Sequence, residues 1–156
     1  MTDSALSDFL QVPYVDLGNQ HKAYVDELLV EIRDVIESGM FVLGDRVAEF
    51  ERRFAELCGV KYAVGVGNGT DAIILAFKAL GIGPGDEVIT APNSFLASAS
   101  AIAMAGATPV FADVRTDLNI DPEAIERAIT PKTRAILPVH LTGRTADMAA
   151  INAIAD

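Results

Sequence analysis

Lys61-Tyr62-Ala63-Val64-Gly65-Val66-Gly67-Asn68-Gly69-Thr70-Asp71-Ala72-Ile73-Ile74-Leu75 sets the terms for everything else in the chain. Residues 61–66 read as a short buried strand, 67–69 as a glycine-rich turn, and the residues that follow as a helix that starts at once. Gly67 and Gly69 let the backbone bend tightly and lie close to a bound group. Asn68 and Thr70 carry the side-chain oxygens that cap a helix start. The first turn of such a helix offers N–H groups without intrahelical partners and the positive end of the helix dipole, so it suits an anion such as phosphate. A plain strand-to-helix turn with no ligand fits the same residues equally well, and the remaining chain has to decide.

The 156 residues, 51% of them hydrophobic, are enough for one domain with a core and argue against disorder. No apolar run is long enough to cross a bilayer, and the start lacks the layout of a signal peptide. A formal net charge of −10 speaks against nucleic acid or an anionic membrane as partner. The lone Cys58 excludes a disulfide framework and is expected as a small core residue in a reducing compartment. A cytoplasmic setting is the expectation, and no cluster suggests a metal.

Residues 1–18 are expected to form an N-terminal arm, without periodicity over 1–11, and residues 19–156 to belong to one larger domain. A helix is predicted from about Asn19 to Ser38, with Val25, Leu28, Leu29, Ile32, Val35 and Ile36 on one face and Gly39 as the stop. The apolar segment Gly39-Met40-Phe41-Val42-Leu43-Gly44 calls for something to pack against, whether a partner subunit, a ligand or the core. A second helix from Asp45 to about Gly59 would bury Val47, Phe50, Phe54 and Leu57 and leave Arg46, Glu49, Glu51, Arg52, Arg53 and Glu56 as a solvated face.

Beyond the opening stretch, strands are predicted over 87–91, 108–114 and 134–139, alternating with helices over 95–105, from the Asp121-Pro122-Glu123 start, and from about Thr145. Pro138 makes the last strand a poor central one. This alternation predicts an α/β fold with a mostly parallel sheet covered by helices. Ligands then gather beyond the carboxyl ends of the strands, at 65–70, 91–95, 113–115 and 140–144. The final helix reaches Asp156 without a cap, so a chain cut within its domain is expected.

Three phosphate-binding readings compete. A nucleotide P-loop needs a lysine after its last glycine, where Thr70 stands, and fails. A dinucleotide-binding fold matches Gly67-Asn68-Gly69-Thr70-Asp71-Ala72 as G-x-G-x-x-A. Its ribose-binding acid is not placed, because Asp86 and Glu87 stand at the start of their strand and not at its end. The third is pyridoxal phosphate. The blocks Gly39–Gly44, Gly67–Ala72, Gly83-Pro84-Gly85-Asp86-Glu87-Val88-Ile89, Pro92-Asn93-Ser94-Phe95-Leu96-Ala97-Ser98, Gly106–Asp113 and Pro138-Val139-His140-Leu141 together resemble the DegT/DnrJ/EryC1/StrS family of sugar aminotransferases over roughly residues 12–156.

That resemblance implies the first half of the large domain of a pyridoxal-phosphate (PLP) dependent transferase of fold type I. It implies transfer of an amino group from glutamate or glutamine to a keto sugar, usually nucleotide-linked, by a homodimer with shared active sites. By position, Gly69, Thr70 and Asp71 would bind the cofactor phosphate, with Asp71 contributing its N–H and turning its carboxylate away. Phe95 would stack on the pyridine ring, and Met40 and Phe41 would lie in a substrate or interface loop. His140 is expected as a satisfied structural histidine. The family's cofactor-bonding lysine, its pyridine-pairing aspartate and the serine before the lysine would all lie beyond Asp156. Lys22, Lys61, Lys78 and Lys132 do not match that lysine motif. No catalytic residue is therefore expected within these 156 residues, and the chain alone is expected to be inactive. A sugar dehydratase of the same family, a non-catalytic binding or assembly module and a dinucleotide-binding oxidoreductase fragment stand as alternatives.

Overall fold

The computed structural model describes residues 12–156, so residues 1–11 of the arm expected over 1–18 lie outside the described residues. Two compact units divide the chain, one up to Gly65 and one from Val66.

The first unit is helical. A short helix α1 (Leu17–His21) runs through a 3-10 turn at Lys22–Tyr24 into α2 (Val25–Ser38), so the expected first helix exists with a kink near its start. Asp16 caps α1 by accepting the N–H of Asn19. Gly39 ends α2 in the left-handed conformation (φ 67°), donating to the carbonyls of Val35 and Ile36, which is the geometry glycine adopts at least cost. The turn into α3 (Asp45–Cys58) is tight. A Cβ on Gly44 would stand 2.9 Å from the Met40 carbonyl oxygen, so only glycine fits there. Arg46 at the start of α3 reaches Glu31 and Asp34 of α2, each at 3.0 Å.

The charged face of α3 is solvated, as its pattern predicts. Arg52 binds Glu49 at 2.8 and 2.9 Å and Glu56 at 2.7 Å. The hydrogen bond from Arg52, reinforced by Arg53, holds the Glu49 carboxyl down to about 2 from its ordinary 4.5. The apolar stripe is a correction. Val47, Phe50, Phe54 and Leu57 are exposed or nearly so, as is the apolar face of α2. Phe50 and Phe54 stack on each other, ring centroids 5.6 Å apart. Cys58 is exposed too. Periodicity says which residues share a face, whereas burial requires something laid over that face.

The expected strand over 61–66 does not form either. A strand exists through its ladder, and no described residue pairs with this segment. The Gly65 N–H is instead taken by Glu51 Oε1 at 2.7 Å.

The second unit carries the sheet. Strands β1 (Glu87–Thr90), β2 (Thr108–Phe111) and β3 (Thr133–Leu137) lie in the order β2-β1-β3, all parallel. Val88 pairs with Pro109 on one side and Ala135 on the other. Adjacent strand residues point to opposite faces, and both faces of β1 are covered. Val88 packs with Phe77, Ile82, Ile102 and Ala107 beneath α4 (Gly69–Ala79) and α5 (Leu96–Met104). Ile89 packs with Ala112, Ile120, Ile125, Ala146 and Ile151 beneath α6 (Pro122–Ala128) and α7 (Met148–Ala155). Asp121 caps α6 by accepting from the Glu123 N–H, with Pro122 in its first turn. The last helix begins three residues later than expected, capped by Asp147, which accepts the Ala150 N–H. Among the described strands β3 is an edge, which suits Pro138 immediately after it.

Candidate functional site

The α4 start is built from a reciprocal cap. Asn68 is extended (φ −166°, ψ 174°), and its Oδ1 accepts the Asp71 N–H at 3.0 Å. Its Nδ2 donates to Asp71 Oδ2 at 2.9 Å. The Asp71 carboxylate is thus turned back onto the cap, and its N–H is already engaged. The Asn68 carbonyl receives the Ala72 N–H. That leaves the N–H groups of Gly69 and Thr70 without an acceptor among the described residues. These are the donors that an anion at this end of the helix would meet.

The two turn glycines differ in purpose. A Cβ on Gly67 would come within 3.1 Å of Asp71 Oδ2, so this glycine lets the cap close. A Cβ on Gly69 would meet nothing within 4 Å, which leaves open space beside the free N–H groups. The residues present therefore fit a phosphate, through two backbone donors, a helix dipole and room for the group.

Parallel topology places this start toward the carboxyl edge of the sheet. The α5 helix must carry the chain from the carboxyl end of β1 back to the amino end of β2, so α5 starts at the carboxyl edge of the sheet. The α4 helix packs against α5 and delivers the chain into β1, so its own start faces away from the amino edge. Phe95 is the N-cap residue of α5 (φ −62°, ψ 144°) and is 80% exposed. A core role for Phe95 is excluded, and its ring is free to offer a flat apolar face.

Met40 and Phe41 lie in the other unit, 58% and 67% exposed. Phe41 borders an apolar groove of about 410 Å³ with Leu28, Ile32, Val35 and Ile36. His140 follows β3, and its Nδ1 accepts the Ala146 N–H at 3.1 Å, a structural bond of the kind expected. Lys132 precedes β3 and Lys78 lies in the last turn of α4, so both belong to the amino edge, away from the carboxyl ends of the strands. Among the described residues no group of His, Cys, Asp and Glu could hold a metal ion, and no helix is long and apolar enough to cross a membrane.

One residue that the sequence pattern did not single out is Asn119. It is 2% exposed, its Oδ1 accepts the Leu141 N–H at 3.2 Å, and its Nδ2 has no partner among the described residues. An unpaired buried donor costs about 1–3 kcal/mol. No periodicity announces such a residue, because it sits in a turn.

A model of the DegT/DnrJ/EryC1/StrS aminotransferase family matches residues 23–156. The chain belongs to that family. It is 48% identical over 147 residues to a pleiotropic regulatory protein of Geobacillus stearothermophilus, covering 94% of this chain and 40% of the relative. It is 46% identical over 146 residues to a UDP-2-acetamido-2-deoxy-3-oxo-D-glucuronate aminotransferase of Pseudomonas aeruginosa, covering 92% and 40%. Among solved structures, an NtdA protein of Bacillus subtilis with bound cofactor PMP superposes with a TM-score of 0.91 at 37% identity, covering 95% of this chain and 34% of that one. This agreement extends to the fold: the doubly covered parallel sheet is that of a PLP-dependent aminotransferase. The chain spans about 40% of the length of the curated relatives it matches.

Proposed function

We propose that the longer protein represented here transfers an amino group from glutamate or glutamine to a nucleotide-linked keto sugar, with PLP as cofactor. The observation that carries the cofactor reading is the α4 start, where the Gly69 and Thr70 N–H groups are free and the Asp71 carboxylate is held back by Asn68. The sugar reading draws on the family and on relatives such as the P. aeruginosa aminotransferase.

When bound, PLP would supply the electron sink that transamination needs. The described residues would supply part of its binding. Gly69 and Thr70 anchor the phosphate from the helix end, the Thr70 hydroxyl adds a further donor, and Asp71 shapes the anchor through its cap. Phe95 presents a face to the pyridine ring and limits its rotation. The lysine that bonds the cofactor aldehyde is assigned to chain beyond Asp156, in keeping with Lys78 and Lys132 lying at the amino edge. The exposed Met40–Phe41 loop is assigned to a subunit interface that completes a shared site in a homodimer, and residues 19–156 to the start of the large domain, in the cytoplasm.

The test is amination of a panel of nucleotide-linked keto sugars by the full-length parent, with glutamate and glutamine as donors. Activity is expected with PLP for at least one sugar, and none from residues 1–156 alone. Turnover by the 156-residue chain, or a full-length parent that neither binds PLP nor aminates any keto sugar, would overturn the reading. For the shared site, mixing two inactive variants, one altered at Phe41 and one at Thr70, should restore activity. Failure of that complementation in a parent shown to be dimeric removes the interface assignment.

A further inference from the structure

At the carboxyl edge of the sheet, the connections that follow β1, β2 and β3 are tied together by two asparagines. Asn93, two residues before Phe95, donates from Nδ2 to the Leu118 carbonyl at 3.0 Å. Asn119 receives the Leu141 N–H of the connection after β3 on its Oδ1 at 3.2 Å. Between these points the turn is stiff. Leu118 donates its N–H to the Arg115 carbonyl at 2.8 Å, and Arg115 donates to the Asn119 carbonyl at 2.9 Å. Val114 and Ile120 form an antiparallel bridge across its base.

Leu118 adopts φ +68°, a left-handed conformation that disfavours a branched side chain. Its side chain is exposed, so burial of leucine does not compensate for that conformation. In that conformation the Leu118 carbonyl accepts from Asn93 Nδ2. The segment 92–95 has few other restraints. Ser94 Oγ donates to the Ala91 carbonyl at 3.2 Å, and the Phe95 carbonyl accepts from Ser98. With Phe95 80% exposed, packing does not fix its ring, and the backbone sets where its Cα–Cβ bond points.

We infer that Asn93 is a positioning residue: its bond to Leu118, on a turn braced by Asn119, sets the direction in which the Phe95 ring meets the cofactor ring. This rests on the cofactor reading above. If Asn93 acts through Phe95, removing Asn93 should matter only while Phe95 is present, which is what a double-mutant cycle measures.

The experiment uses the full-length parent and reads the PLP dissociation constant together with the induced circular dichroism of bound PLP. In the wild-type background N93A should raise the dissociation constant about fivefold, the scale of one net hydrogen bond, and weaken the induced band. N93D, of the same shape without the donor, should do the same. In the Phe95→Ala background N93A should change the constant less than twofold. An unchanged constant in the wild-type background, or an equal change in both backgrounds, overturns the inference. So does loss of the apo melting transition in N93A and N93D, which would make the bond a structural one. Wild-type parent that fails to bind PLP overturns the cofactor reading first, and the wild-type arm tells that outcome apart.

Discussion

Replacing Asn68 by Asp in the full-length parent places a second carboxylate beside Asp71 at the α4 start. Asn68 now does two things at once, accepting the Asp71 N–H at 3.0 Å and donating to Asp71 Oδ2 at 2.9 Å. Aspartate keeps the cap oxygen, and a negative charge at a helix N-terminus is itself favourable by about 0.3–1 kcal/mol. It loses the donor and repels Asp71 by about 1 kcal/mol at contact range in water. With the lost hydrogen bond, worth about 1 kcal/mol, the losses exceed the gain by on the order of 1 kcal/mol, so the melting temperature should fall modestly. Cofactor binding should not escape so lightly. An added unit charge at the same helix end opposes each phosphate charge by on the order of 1 kcal/mol at contact range. For a divalent phosphate that is about 2 kcal/mol, roughly a thirtyfold loss of PLP affinity. Asn68→Ala should show a different balance: about 1 kcal/mol less stability from the lost cap, and a smaller loss of affinity. Equilibrium dialysis at two salt concentrations, with thermal melts of each apo variant, reads both quantities. The Asn68→Asp penalty should shrink at 0.5 M NaCl, because the helix end is exposed and salt screens it. Asn68→Asp that binds PLP as tightly as wild type at low salt would refute the assignment of the phosphate to this helix end.

Ile125 is fully buried against the sheet, so Ile125→Ala should destabilise the fold by about 2–5 kcal/mol in denaturant titration; a change under 1 kcal/mol would mean that the core on this face is not packed as described. Glu49 has a folded pKa of about 2 against an ordinary 4.5, chiefly through its hydrogen bond with Arg52. Whatever stability the pair contributes is therefore complete above about 4.5 and is lost as pH falls through about 2. Because the group is exposed the contribution is small and screened. NMR titration of the Glu49 carboxyl should give a value below 4 that rises with added salt, and titration at the ordinary value would show that the arginine contacts do not persist in solution.

Legibility in the sequence followed the range of the interactions involved. Helix ends depend on residues within a turn or two, and Gly39, Asp45, Asn68 and Asp121 each mark a helix boundary in the structure as read. The three strands from residue 87 on are legible because each is a short apolar run between turn residues, although only β1 is buried on both faces. The segment 61–66 has the same local character yet forms no strand among the described residues, since a ladder needs a partner that no local pattern supplies. Phe50, Phe54 and Cys58, expected in a core, are exposed for the related reason that a stripe does not name what covers it.

At the candidate site, the glycines and the capping asparagine could be read directly, because their use lies in backbone conformation within a few residues. The family resemblance then attached a cofactor to that geometry. Which N–H groups stay free was decided only by the folded chain, because the Asp71 N–H, counted as a phosphate donor, closes onto Asn68. The link from Asn93 to Leu118 and the buried Asn119 were decided there too. These contacts span 25 and 22 residues, and parallel strand order alone brings their loops to one edge. Sequence by itself determined where the chain turns and caps. Tertiary structure decided which of the exposed groups at that edge remain available to a ligand, because satisfying a hydrogen bond depends on what has been brought within about 3 Å.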